Sequence, residues 1–97
     1  MTDVIGPGSL KLVAASSPRR PLGDVLRDTL CAHAGGNDVR HLHGETFLVQ
    51  TEADPAAIRD WLSALLGEDE SVFVIEFERW SSHGLAADRT WLLRRGH

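Results

Sequence analysis

Residues 39–51 read VRHLHGETFLVQT, residues 52–67 read EADPAAIRDWLSALLG, and residues 68–80 read EDESVFVIEFERW. The spacing predicts a hairpin, a capped helix and a strand, in that order. Glycine at the first position of the Gly44-Glu45 connection suits a type II′ turn, whose twist matches the flanking strands. Zipping outward from that turn sets Leu42 opposite Phe47 and Arg40 opposite Val49. His41 and His43 then share the other face with Thr46 and Leu48, because side chains alternate along a strand. Asp54 is an N-cap, Pro55 fits the first helical position and Gly67 is a stop. Between them Ile58, Trp61, Leu62 and Leu65 recur at helical spacing and form one apolar stripe. The run VFVIEF is rich in β-branched and aromatic residues, as an interior strand is. Phe73, Ile75 and Phe77 are expected to face the helices, with Val72, Val74, Glu76 and Glu78 on the opposite side.

Upstream, residues 10–15 (LKLVAA) form a short apolar strand, preceded by a loose lead-in over residues 1–9. Pro18 and Pro21 forbid continuation of that strand through SSPRRP. Pro21 opens a helix with Leu22, Val25, Leu26, Thr29, Leu30 and His33 on one face, ended by Gly35 and Gly36. The tail, residues 85–97, allows two readings. Asp88 caps a short helix bearing Trp91, Leu92 and Arg95, or RTWLL adds an edge strand; the helix is preferred. The order is β-α-β-β-α-β, an α+β ferredoxin-like sandwich: one domain with a four-stranded antiparallel sheet and two helices on one face. The uncovered face would carry Leu48, Val72, Val74 and Val13, with Trp80 and Trp91 near its margin. A monomer rarely exposes that much apolar surface, so Leu48, Val72, Val74, Trp80 and Trp91 are the expected homodimer seam.

Composition narrows the function classes. Ninety-seven residues suffice for one core without disulfides, and Cys31 is the sole cysteine, which excludes a disulfide framework or a thiolate zinc cluster. No stretch approaches membrane-spanning length, and no charged start precedes an apolar run, so a cytoplasmic protein is expected. Ten basic against fourteen acidic residues give a net charge of −4, unlike a surface built for non-specific nucleic-acid binding. Two local basic spots stand out, Arg19-Arg20 and Arg94-Arg95.

Three constellations carry possible chemistry. Ser16 and Ser17 before Arg19 and Arg20 could hold a phosphate between the first strand and first helix, through hydroxyls and guanidinium groups; a solvated turn is the simpler reading. His41 and His43, two apart on a strand, are weak metal candidates that Glu45 or His83 would have to complete. The preferred alternative is a partly solvated strand face, since no fuller ligand pattern accompanies them. Cys31 and His33 lie too close on one helix for a nucleophile–base pair, and Cys31 reads as helix packing. Arg59-Asp60 reads as a solvent-facing pair. No cofactor is expected.

The sequence GETFLVQT, then DPAAIRDWLSALLGEDESVFVIEF, then a tail containing RTWLLRR, resembles the SinR-like small proteins. These are related in fold to the second CRISPR-associated protein, the small dimeric partner of the spacer-integration enzyme. Glu45, Thr46, Phe47, Ile58, Arg59, Asp60 and the run over residues 72–77 carry the resemblance, which spans roughly residues 38–95. It implies a non-catalytic homodimeric interaction or scaffold protein, linked to mobile-element or phage defence, with a protein partner. The alternative it implies is a nucleic-acid-binding protein or a metal-dependent nuclease with an altered site. The nuclease members of the wider family carry an Asp at the end of strand one; here that strand ends Val13-Ala14-Ala15-Ser16-Ser17. Two serines do not replace the carboxylates that Mg²⁺ requires.

Overall fold

The computed structural model describes residues 8–97; the greater part of the expected lead-in, residues 1–7, lies outside them. The elements are β1 (Ser9–Ser16), α1 (Gly23–Ala34), a short 3-10 turn (Gly36–Asp38), β2 (Val39–His43), β3 (Thr46–Thr51), α2 (Pro55–Ser63), β4 (Ser71–Phe77) and α3 (Ala86–Arg94). The four strands make one antiparallel sheet in the order β2-β3-β1-β4. β4 is therefore an edge strand, not the interior strand that its apolar run suggested.

Local rules explain most boundaries. Asp54 Oδ1 accepts the Ala57 N–H at 2.8 Å, and Pro55 opens α2, as the capping pattern requires. The helix stops at Ser63, and tighter bonds from Leu65 N to Leu62 O and from Leu66 N to Ser63 O carry the chain to Gly67. α1 begins at Gly23, not at Pro21, and Leu22 at its N-cap offers no side-chain cap. Glu45 supplies what is missing: its Oε1 accepts the Leu22 N–H at 3.2 Å, while its carbonyl accepts from Ala15 N. Gly44 has φ +53°, the sign that a type II′ turn needs at its first central position.

The hairpin register differs from the simple zip. His43 pairs with Thr46, but His41 pairs with Phe47, Arg40 with Leu48 and Val39 with Val49. Leu42 is the extra residue of an irregularity between His41 and His43, and such a bulge shifts all pairing beyond it by one. Leu42 and Phe47 are thereby separated, and His41 moves to the Phe47 side.

Two apolar clusters lie on opposite sides of the sheet. Val13, Phe47 and Val49 are fully buried with Leu22, Leu26 and Leu30 of α1 and its entry, and with Ile58 and Leu62 of α2. Leu10 and Leu48, one residue out of phase, are buried instead against Leu92 of α3, with Leu12, Leu42, Phe77, Trp80 and Trp91 around them. Because Val13 pairs with Val74 and Ala14 with Phe73, the faces of β4 are the reverse of those expected. Val72 and Val74 pack on the α1–α2 cluster, Phe77 joins the Leu48 cluster, and Phe73 stands 65% exposed.

This corrects the expected dimer seam. Val72, Val74 and Val13 face the helices, and Leu48 is covered by its own chain. α3 is helical, as preferred, and lies over the Leu48 side. It is held by Arg40–Asp88 at 2.5 Å, by Arg95 Nη1–Asp38 at 2.6 Å, and by Trp91 Nε1 donating to Asn37 O at 3.2 Å. Asp88 thus anchors the helix from inside; the N-cap is Leu85, in the left-handed region at φ 55°, directly after Gly84 at φ 74°. Trp80 and Trp91 are half-buried under this tail, and Trp80 Nε1 donates to His97 O at 3.1 Å.

Candidate functional site

The Ser-Arg loop between β1 and α1 is drawn together, but around carboxylates. Arg19 grips Asp69 with Nε–Oδ2 at 2.7 Å and Nη2–Oδ1 at 2.9 Å. Arg20 grips Glu70 with Nε–Oε2 at 2.7 Å and Nη2–Oε1 at 2.8 Å, and also donates to Leu65 O. Ser17 Oγ donates to Glu70 Oε2 at 2.7 Å and accepts from the backbone N–H groups of Arg19 and Arg20. Gly67 N donates to Glu70 Oε1, and a Cβ on Gly67 would lie 2.8 Å from Arg19 Nη2, so a side chain there would push the Arg19 guanidinium aside. Among the described residues Ser16 Oγ meets only Ser71 Oγ, at 3.2 Å. A phosphate entering here would have to displace two bidentate carboxylates. The cluster is instead a fastener between the β1–α1 loop and the loop before β4, and the acidic loop and the arginine pair are its two halves.

The fastener has an acid signature. Hydrogen bonds from Arg20, then from Gly67 N and Ser17, hold the Glu70 carboxyl far below the usual carboxylate range; Arg19 lowers Asp69 in the same way. A depressed folded-state pKa contributes stability that is present above the unfolded value, near 4.5 for Glu70, and is lost as pH falls through the folded value. The midpoint of thermal unfolding is expected to drop steadily as pH is lowered from about 5 toward 2. Glu70→Gln should flatten much of that slope while lowering the midpoint at neutral pH. An unchanged slope in the variant would remove Glu70 from the account.

The bulge separates the two strand-two histidines. His41 stacks on Phe47 with centroids 4.4 Å apart, and its Nε2 lies 2.6 Å from Gly44 O. His43 is exposed beyond the irregularity. Among the described residues no three His, Cys, Asp or Glu side chains converge as a metal site. Cys31 is half-buried and free, while His33 stacks on Trp61 at 4.1 Å and joins α1 to α2. Asp24, in the first turn of α1, is exposed beside Arg27 at 3.3 Å.

Two features were missed from sequence. A cavity of about 310 Å³ opens on the Leu48 side between β4 and α3, floored by Leu12, Leu48, Ile75 and Phe77, with Trp80 and Leu85 as walls. Arg79 and Arg89 also line it. A smaller cleft of about 260 Å³ runs along the free edge of β4, between Val72, Phe73 and Val74 and the start of α2 at Pro55, Ala56 and Arg59. The signal for both was the alternation of VFVIEF, apolar at both parities, which left one set of large side chains without a cover.

Comparison with protein-family models, with curated proteins and with solved structures returns no match.

Proposed function

We propose that this chain is a non-catalytic interaction protein of ferredoxin-like architecture, acting as a homodimer assembled through the free edge of β4. The strand order β2-β3-β1-β4 and the single cluster shared by α1, α2 and the Val13 side of the sheet support the architecture. The resemblance to SinR-like proteins supports a scaffold role, with a mobile-element or phage-defence setting as its implication.

The observation that carries the assembly is the exposure of Phe73 (65%) and Ile75 (37%) on an edge strand. An unpaired edge bearing large apolar side chains is a template for another strand. A two-fold axis through Val74 would set Phe73 opposite Ile75 of the second copy and Val72 opposite Glu76, so within β4 itself no like charges meet. The cleft beside Pro55, Ala56 and Arg59 leaves room along that edge for the incoming side chains.

Light scattering tests the reading. The native chain is expected to be a dimer at roughly 100 μM, and Phe73→Glu a folded monomer whose melting temperature, unlike that of the native chain, does not depend on concentration. Val74→Glu, on the helix side, should instead unfold the protein. A native monomer at that concentration contradicts the proposal, and salt-sensitive RNA or DNA binding would favour the nucleic-acid alternative.

A further inference from the structure

We propose that the cavity between β4 and α3 is a binding site for a small amphipathic carboxylate, a medium-chain fatty acid in chemical class, with its tail on the sheet and its head between Arg79 and Arg89. The site goes beyond the assembly through β4 but shares Ile75 with it, so the test below separates the two.

Three observations carry this. The cavity holds about 310 Å³, at the low end of the roughly 300–1,000 Å³ of small-molecule sites. Its floor and walls are apolar: Leu12, Leu48, Ile75, Phe77, Trp80 and Leu85. Ile75 is 37% exposed and Leu85 45%, so this surface is left uncovered by the chain's own tail. Its lining also carries charge. Arg19, Arg20, Arg27, Arg40, Arg59 and Arg95 all sit within salt-bridge distance of a carboxylate. Of the three arginines with no such partner among the described residues, Arg79 and Arg89 line the cavity and Arg94 does not, in a chain whose net charge is −4. Asp88, the acid at this cavity, is engaged by Arg40 at 2.5 Å and does not neutralise them. Guanidinium groups bind carboxylates in bidentate fashion, and two arginines lining an apolar slot favour a ligand with one anionic end. Ser81 and Ser82, exposed on the connecting loop, also line the cavity with hydroxyl groups.

The test is calorimetric titration of the full chain with decanoate below its micelle concentration, with tryptophan fluorescence followed in parallel because Trp80 lines the slot. Saturable one-to-one binding with a Trp80 response is expected, weaker for decanol and decylamine and undetectable for acetate. Arg79→Gln combined with Arg89→Gln should weaken decanoate about tenfold at unchanged melting temperature, as expected for the loss of charge-assisted hydrogen bonds. Absence of saturable binding up to about 1 mM would overturn the proposal. So would equal affinity for decanol, or a double variant that binds as well as the native chain. Binding seen only in monomeric Phe73→Glu would mean that a second copy fills the slot, and would overturn it as well.

Discussion

Phe47→Ala is expected to cost about 3–5 kcal/mol of unfolding free energy, the range for removing a buried phenylalanine ring. Phe47 has no exposed surface and lies where the sheet meets α1 and α2, packed with Val13, Leu26 and Ile58 in one cluster. Its ring also carries His41, stacked at 4.4 Å. The hole left by alanine is bounded by three elements that cannot all collapse inward, so the cavity cost adds to the lost transfer energy. A domain of this size has about 5–15 kcal/mol in hand, so the variant should be partly unfolded under mild conditions. His41→Ala removes only the stacking partner and should cost about 0.5–1.5 kcal/mol. Urea unfolding separates the two. A loss below about 1 kcal/mol for Phe47→Ala would mean that the ring is not part of the core.

Arg95→Ala has the second large effect, because it takes away the pin of α3. Arg95 and Asp38 side chains are only 5% and 10% exposed, and Nη1 lies 2.6 Å from Oδ1. Arg95 also donates to Asn37 O and lies over the Trp91 ring at 4.1 Å. Removing one member of a nearly buried ion pair costs about 3–5 kcal/mol, because a carboxylate then stays in a dry place without its cation. Replacing both members at once, as Arg95→Met with Asp38→Asn, should be far milder. Undocking of α3 would uncover Leu10 and Leu48, which dye binding and tryptophan fluorescence can follow. A single variant as stable as the native chain would show that α3 is held by its apolar contacts alone.

Local signals announced the elements whose causes are local. Asp54 with Pro55 fixed the start of α2, and Gly44 fixed the hairpin turn, because caps and turns are satisfied within a few residues. The faces of β4 were not legible, since VFVIEF is apolar at both parities and only pairing with β1 chooses between them. The bulge at Leu42 carried no glycine to mark it, yet it decides where His41 goes. The fastener joins residues about fifty apart, and Asp88 serves Arg40 across a similar distance in place of capping its own helix. The two arginines were visible as a local basic spot, and Glu68-Asp69-Glu70 stands as an acidic run in the sequence. That they neutralise each other is a property of the fold.

Amide hydrogen exchange along β4 tests the assembly most directly. In an antiparallel strand alternate N–H groups point to opposite sides, so one set bonds to β1 and the other faces the free edge. Pairing of two β4 edges predicts that both sets are protected in the native chain at high concentration, and that Phe73→Glu releases the outer set alone. An outer set that exchanges freely at every concentration, while the inner set stays protected, would contradict a dimer built on this edge.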